Sequence, residues 1–349
     1  GAPAMLGYKS GFLKYVKEVN PEVEVIHCII HRETLATKTL PPQLSDCLNV
    51  VIKIVNYIKS SAVNSRMFKN LCSSLLSQHD SLLFHTEIRW LSKGRMLERF
   101  LELTDEIVIF LKSKNKDEWV NAIRGSSFSQ ELAYLTDIFS QLNSLNLRLQ
   151  GKNKSIFYHF DQLSAFKQKL NLWNFRIDKD NVCAFENLDL SVTKQGWIDG
   201  VKESIKSHLT SLVEKFDSYF PQIDTYSVDW NFIVQPFSAD VTAIKTELQD
   251  EFIDLKTDTL ARSVFCDQLL DEFWIQMRAK YPKVGTAACK ILCLFSSTYL
   301  CELAFSALFA IKTKHRNRLQ IESDLRCAIS STKPRIQLLV DKKQSQPSH

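Results

Sequence analysis

Apolar side chains recur at helical spacing along most of the chain, and this pattern predicts a protein built mainly of helices. One stripe of apolar residues, three or four positions apart, runs from Leu44 to Ile58. Longer stripes of the same kind cover residues 132–145, 157–173 and 201–216. This spacing places the apolar side chains on one face of each helix, where they can pack against a neighbour.

The start of the chain adds one predicted strand. Apolar positions at helical spacing predict a helix over residues 5–19, which Asn20 and Pro21 bring to an end. The next segment, residues 23–30, is short, rich in β-branched side chains and alternating at its start, which is typical of a β-strand. The first 60 residues therefore predict the order helix, strand, helix.

A long apolar segment, residues 291–311, carries a single charged side chain, that of Glu302. Its length would suit either a membrane span or a buried helix. A central acidic residue costs about 2.5–3.5 kcal/mol on membrane-insertion scales, and several serines and threonines add polarity. We therefore predict a buried helix of a globular domain and no association with a membrane.

Glu302 stands out within this segment on physical grounds. It is the only acidic residue between Phe273 and Ile321, and an ionised carboxylate in an apolar setting is costly unless a cation or a metal pairs with it. Two interpretations stay open. In the first, Glu302 lies at a helix edge, where it pairs with Lys312 or His315 or reaches solvent. In the second, Glu302 is a metal-binding catalytic carboxylate in a water-excluding, preorganised wall of a site.

Composition narrows the class of protein. Nine glycines and nine prolines among 349 residues are too few for the many turns of a β-sandwich or barrel. Nine scattered cysteines, an odd number, favour free thiols inside a cell over a secreted disulfide scaffold. The first residues do not form a signal peptide, and without an initiator Met we expect Gly1 to follow a cut through a longer protein.

Charge is unevenly distributed, although the formal net charge is only +5. Residues 235–275 hold nine acidic and three basic side chains, whereas residues 308–343 hold nine basic and three acidic ones. Each run could simply form the solvated face of a helix. The basic run could also face phosphates, because clustered Lys and Arg release counterions when they bind nucleic acid.

Two short motifs could contribute to a site. His27, Cys28 and His31 form the pattern HCxxH, which is a weak zinc signal without two further ligands and is equally compatible with lining a site or with ordinary packing. Arg89 and Trp90 lie among basic residues. The Trp could stack on an unpaired base while its neighbours hold phosphate, or it could anchor a core where a helix begins.

The C-terminal residues resemble a known family. Residues 296–319, SSTYLCELAFSALFAIKTKHRNRL, are similar to the signature of the hAT superfamily of DNA transposases, which has a Ser/Thr-rich start, a Glu, Phe-Ser and a basic end. Three further segments are similar to the family. Residues 87–97, EIRWLSKGRML, resemble its Arg-Trp motif, and residues 27–31, HCIIH, resemble its CxxH motif. Residues 1–7, GAPAMLG, resemble the residues that follow its second catalytic Asp. The similarity spans essentially the whole chain and is to the domesticated Buster/Charlie-like members, whose full-length forms carry a BED-type zinc finger.

The resemblance implies a mainly α (α+β) fold. An incomplete RNase H-like core would be interrupted by a large all-helical insertion and followed by the hAT C-terminal dimerisation region. The implied limits are residues 1–111 for the partial core and the start of the insertion, 112–262 for the helical insertion, 263–340 for the return to the core with the dimerisation region, and 341–349 for a polar tail.

The family's chemistry uses two Asp and one Glu to hold two divalent metals for DNA strand cleavage and transfer. Glu302 matches the Glu, and both Asp are expected upstream of Gly1. For this chain as given, the resemblance therefore implies no catalysis and no cofactor, with Mg²⁺ bound only if the full-length protein retains both Asp.

The resemblance also implies a nuclear module that forms homodimers or larger homo-oligomers and binds DNA without sequence preference. The residues implied for DNA binding are Arg89, Trp90, Lys93, Lys312, Lys314, Arg316 and Arg318. Those implied for dimerisation are Phe273, Trp274, Tyr281 and Phe305, since we expect the large apolar side chains after Leu269 to be partly uncovered, and Cys28 and His31 would line the site. The alternatives are the C-terminal part of an active hAT transposase and a helical protein-interaction scaffold.

Overall fold

The computed structural model describes residues 3–7, 10–21, 23, 25–84, 92–152, 154–221, 230–313, 316, 320–330, 332 and 335–341. The described residues are 74% helical and contain no strand, which confirms the mainly α prediction. The helices are α1 (Pro3–Leu6), α2 (Phe12–Val19), α3 (Ile29–Ala36), α4 (Pro42–Ser60), α5 (Ala62–Ser74), α6 (Ser92–Glu102), α7 (Thr104–Ser113), α8 (Asp117–Ile123), α9 (Phe128–Leu149), α10 (Ile156–Asp178), α11 (Glu186–Gln195), α12 (Val201–Tyr219), α13 (Asn231–Val234), α14 (Thr246–Thr257), α15 (Thr259–Asp267), α16 (Leu270–Lys280), α17 (Pro282–Leu292), α18 (Tyr299–Ile311), α19 (Glu322–Ile329) and α20 (Ile336–Asp341), and one 3₁₀ turn covers Val241–Ala243.

The strand predicted over residues 23–30 is wrong. Residues 25–28 form no regular structure, and Ile29 begins helix α3. Ile29, Glu33 and Ala36 are all buried at helical spacing, so the helix covers this face. A helix also satisfies most of its own backbone N–H and C=O groups, whereas a strand needs a paired neighbour. The RNase H-like core, to which this strand would belong, stays a prediction.

The chain divides into two compact units, residues 1–297 and residues 298–349. In the first unit α9 is the central helix, since it contacts α3, α4, α6, α8, α10, α11 and α12. Every residue of α9 from Gln130 to Phe139 is buried. The apolar stripes predicted for α9 and α12 both lie in the core, from Leu132 to Leu145 and from Val201 to Phe216. The domain limits implied by the resemblance stay a prediction.

A buried hydrogen-bond chain links α9 and α12 to the segment before α4. His208 Nε2 lies 3.0 Å from the Thr39 carbonyl oxygen. A carbonyl can only accept, so Nε2 carries the proton and Tyr134 donates its hydroxyl to Nδ1 at 2.8 Å. Burial lowers the pKa of His208 to about 4, and the neutral ring therefore serves as one donor and one acceptor.

Helices α14 to α17 complete the first unit. The indole N–H of Trp274 in α16 donates to the Ile233 carbonyl of α13 at 2.9 Å. Asp258 caps α15 through backbone N–H groups and also accepts the hydroxyl of Tyr281 at 2.8 Å. Glu251 of α14 accepts the backbone N–H of Val284 in α17 at 2.7 Å. These contacts fix the side chains of α16 and α17 inside the first unit.

The second unit contains α18, α19 and α20, and none of its described residues is buried. The single buried helix predicted over residues 291–311 is therefore wrong, because α17 ends at Leu292 and α18 begins only at Tyr299. The Ser-Ser-Thr sequence between them disfavours a helix interior, since such side chains compete for backbone hydrogen bonds. Among the described residues, no helix has both the length and the apolar character needed to cross a membrane.

Candidate self-association surface

Helix α18 exposes an apolar surface. Only Glu302 and Ser306 interrupt its thirteen otherwise apolar residues, yet the helix has no buried residue. A helix that is apolar on all sides is normally buried. We call its four most exposed large side chains the α18 apolar surface: Leu300 (47% exposed), Leu303 (40%), Phe305 (59%) and Phe309 (76%).

The two phenylalanines form the most exposed part of this surface. Phe305 and Phe309 are four residues apart, so their rings lie one above the other on the same face of α18. Contiguous apolar area of this kind on a soluble protein usually marks an interface. The second unit has further exposed apolar side chains on α19 and α20, namely Ile329, Ile336, Leu338 and Val340.

Glu302 lies on the exposed surface of α18 and not in a dry wall. The hydroxyl of Thr298 donates to its carboxylate at 3.0 Å. Glu302 also lies in the first turn of α18, where a negative charge interacts favourably with the helix dipole. The position at a helix edge that the sequence left open is thus the one that the structure shows, whereas the catalytic role stays a prediction.

The expectation that Phe273, Trp274 and Tyr281 lie on an uncovered surface is wrong. Phe273 and Trp274 are fully buried, and Tyr281 is 6% exposed. Their rings pack within the first unit, with Phe273 at a centroid distance of 4.9 Å from Phe265. Of the four residues implied for dimerisation, Phe305 alone presents its side chain to solvent, so the other three can affect self-association only through the fold.

The cations implied for DNA binding have different surroundings. Lys312 and Arg316 are exposed beyond α18, whereas Arg89, Trp90, Lys314 and Arg318 lie outside the described residues. Lys93 is 8% exposed at the start of α6, which contradicts its expected place on an open phosphate-binding surface. Most of this side chain is removed from solvent, so a phosphate cannot approach it as it approaches a surface lysine.

The HCxxH motif lies at the start of α3. Cys28 is half-buried, His31 is exposed, and the rings of His27 and His31 are 5.4 Å apart. Burial lowers the pKa of His27 to about 4. The described residues contain no cluster of three His, Cys, Asp or Glu side chains that could hold a metal ion. All nine cysteines are free thiols in the structure.

The structure shows an anchor at Ser296 that sequence reasoning missed. The Ser296 carbonyl accepts the backbone N–H of Ile29 at 2.9 Å. His159 Nε2 lies 2.8 Å from the Leu149 carbonyl and must donate to it, so Nδ1 accepts the Ser296 hydroxyl at 2.6 Å. The available signal was a histidine on the apolar face of α10, one turn from Ile156 and Leu163.

A second missed feature is the buried carboxylate of Glu33. Asn146 donates its side-chain N–H to Glu33 Oε2 at 2.8 Å, while Glu33 Oε1 has no hydrogen-bond partner among the described residues. Burial raises the pKa of Glu33 to about 7. A polar residue at a helical position between Ile29 and Ala36 was the only signal of this burial in the sequence.

Comparison with known protein families gives two matches. Residues 253–334 match the hAT family C-terminal dimerisation region, and this range includes all of α18 and α19. Residues 27–178 match the FAM200/GTF2IRD2 helical domain, a range that extends from the segment before α3 to the end of α10. No solved structure matches the chain.

Proposed function

Because the chain is an hAT-family transposase-derived protein, we propose that it works as a nuclear module that associates with a second copy of itself and does not cleave DNA. The hAT dimerisation region identifies it as a self-associating type of protein. We infer that α18 supplies the contact surface and that cations following α18 contact the DNA backbone.

The exposed apolar surface of α18 is the observation that carries this proposal. An isolated helix of 13 residues is marginal in water even with favourable residues, so α18 needs tertiary or intermolecular packing. The family match covers this helix. In a pair related by twofold symmetry, each copy would cover the Phe305 and Phe309 rings of the other.

The non-catalytic role is supported by the surroundings of Glu302. Two-metal strand transfer needs several carboxylates that converge on the ions. Glu302 is exposed, and the hydrogen bond to its carboxylate comes from a threonine hydroxyl. Among the described residues of its own helix, no other acid accompanies it.

DNA contact is supported by the position of the basic run. Lys312 and Arg316 are exposed, and Lys314 and Arg318 belong to the same run of sequence. Contacts to phosphates orient a protein on DNA without reading bases, so this binding would be weak and insensitive to sequence. A nuclear location follows from such a partner.

Sedimentation velocity of the full chain over a dilution series tests the self-association. We expect the mean mass to rise with concentration towards that of a dimer. A strict monomer at tens of micromolar, roughly the range in which modest protein–protein affinities populate the complex, would overturn the proposal.

A plasmid-nicking assay with Mg²⁺ or Mn²⁺ tests the absence of catalysis. We expect supercoiled DNA to stay intact in the presence of the chain. Cleavage that Glu302→Gln abolishes would instead identify an active transposase, whereas cleavage that survives this substitution would indicate a contaminating nuclease.

A further inference from the structure

Two stretches of the first unit contain basic residues and no acidic ones. Residues 47–79 include four Lys or Arg and lack Asp and Glu entirely. Residues 107–116, which end α7 and lead into α8, include three lysines and likewise lack acids. Neither stretch overlaps the basic run that follows α18.

The fold brings these two stretches together. Helix α5 packs against both α4 and α7. Lys114 Nζ lies 3.2 Å from the sulfur of Met67 on α5, and Lys116 Nζ lies 5.3 Å from the ring centroid of Tyr57 on α4. Asn115 between them has a left-handed backbone with φ of 54°, which turns the chain so that the two lysines reach different helices.

Further cations lie beside these contact points. Lys53 precedes Tyr57 by one turn of α4, and Arg66 is adjacent to Met67 on α5; both are exposed. Lys112 is exposed in the last turn of α7. We call this group the α4–α8 basic patch, which consists of Lys53, Arg66, Lys112, Lys114 and Lys116.

Few acids oppose the patch. Asp117 and Glu118 begin α8 and are exposed beside it. Asp80 is paired with Lys69 at 2.9 Å, and Glu106 accepts the hydroxyl of Ser77. Among the described residues, no ion pair involves a cation of the patch. Asp46 on α4 and Asp105 on α7 are also exposed, each two turns before a lysine of the patch. The five cations therefore still outnumber the four exposed carboxylates of α4, α7 and α8.

The helix dipole explains only some of these positions. Lys112 is at the C-terminus of α7, where a cation is favourable in any protein. Lys53 lies mid-helix on α4, and Arg66 lies nearer the N-terminus of α5, where the dipole gives a cation no advantage. The concentration of charge therefore needs a different account.

We propose that the α4–α8 basic patch binds the phosphate backbone of duplex DNA. The exposed side chains between its cations include Asn56, Ser60 and Asn115, which are the neutral hydrogen-bonding types that contact phosphates. Exposed aliphatic side chains, namely Val63 and Met67 on α5 and Ile109 on α7, lie beside the same cations. Because anionic bilayers also bind basic surfaces that carry apolar side chains, phosphatidylserine vesicles serve as the competing ligand in the test.

The neighbouring aromatic residues favour a duplex over a single strand. Tyr57 and Trp119 pack edge to face at 5.1 Å, and Lys116 lies over both rings. These contacts cover part of both rings, whereas single-strand binding needs free ring faces on which bases can stack. This site lies in the first unit, so it goes beyond the proposed contact after α18 and does not depend on self-association.

The test measures binding of the full chain to a short fluorescent DNA duplex by anisotropy at several salt concentrations. The test variant combines Lys112→Gln, Lys114→Gln and Lys116→Gln. We expect at least a tenfold loss of affinity near 50 mM salt and a log–log salt slope that is less steep by roughly 2 to 3, since each phosphate contact contributes about 0.9.

A matched control makes the same change of net charge elsewhere. The control variant replaces one exposed lysine on each of α10, α11 and α12 and combines Lys169→Gln, Lys194→Gln and Lys215→Gln. We expect this control to bind like the parent within about twofold, because it lacks the local patch although it changes the long-range field equally. Equal losses in the two variants would overturn the proposal.

Two further variants distinguish the patch from a folding defect and from the contact after α18. The variant Lys53→Gln with Arg66→Gln alters only helix-surface residues. A loss of duplex binding in this variant, which we expect, cannot come from a folding defect in the α7–α8 connection.

A second variant removes the proposed contact after α18 and combines Lys314→Ala, Arg316→Ala and Arg318→Ala. Its loss of duplex affinity should add to the loss caused by the patch variant. Unchanged duplex binding in both patch variants would overturn the proposal. It would equally be overturned if the patch variants lost binding to phosphatidylserine vesicles but kept their binding to the duplex. Sedimentation of the same variants reports self-association separately.

Discussion

Replacing Phe305 and Phe309 by alanine should weaken self-association roughly 100-fold. The two side chains are 59% and 76% exposed in the isolated chain. A phenylalanine can bury about 150–250 Å², so the pair offers roughly 250 Å² to a partner. The rings of both copies are covered in a twofold pair, so at about 25 cal/mol per Å² complete cover would stabilise the complex by roughly 12 kcal/mol.

About a quarter of that free energy should be lost in the variant. Alanine retains part of the apolar area, and an interface seldom covers both rings completely, which leaves a loss of about 3 kcal/mol. Each 1.4 kcal/mol corresponds to about a tenfold change in Kd, so the expected weakening is roughly 100-fold. Alanine also preserves the helix, because its helix propensity is the highest of all residues.

Sedimentation velocity over a dilution series measures this change directly. The control is Leu172→Ala with Phe175→Ala, which removes two similarly exposed apolar side chains of α10 in the first unit. Circular dichroism should show equal helix content in parent, variant and control. If the parent self-associates and the Phe305 and Phe309 variant does so with the same Kd, α18 is not the interface. If the variant and the control lose affinity equally, the effect is not specific to α18.

Two further predictions concern the stability of the first unit. Burial raises the pKa of Glu33 to about 7, above its unfolded value, so the free energy of unfolding should fall by about 3 kcal/mol as pH rises from about 4.5 to about 7. In urea titrations, Glu33→Gln should remove this pH dependence of stability. An unchanged pH dependence in the variant would contradict the assignment. Ser296→Ala should lower the free energy of unfolding by about 1–3 kcal/mol, because His159 Nδ1 loses its buried donor. Thermal denaturation beside the control Ser297→Ala checks this, and equal costs for the two substitutions would argue against the anchor.

The long helices of the first unit could be predicted because their signal is local. Apolar residues from Leu132 to Leu145 recur at helical spacing, and any helix formed there must bury that face. The structure places this face in the core of the first unit. The same argument succeeded for Val201 to Phe216, since periodicity depends on neighbours a few residues away and not on the tertiary fold.

The strand at residues 23–30 shows where local patterns are insufficient. Its β-branched residues suit a strand, but a strand also needs a neighbour, which no local pattern supplies. The Ile29 backbone N–H instead donates to the Ser296 carbonyl, 267 residues further along the chain. Both the anchor at Ser296 and the burial of Glu33 arise from contacts between distant segments, so neither could be deduced from spacing.

The opposite fates of two aromatic pairs show what decides a buried or an exposed site. Phe273 and Trp274 are buried because α16 packs against α17, and the Trp274 indole finds a carbonyl on α13. Phe305 and Phe309 belong to a helix with fewer charged residues than α16, but none of the described residues of their unit is buried. Apolar content therefore identifies a surface that must be covered, while the fold determines whether this chain covers it. For α16 the first unit does so itself, whereas the second unit does not bury α18 within its own helices; the match of this range to a dimerisation region is the reason we propose a second copy as the cover.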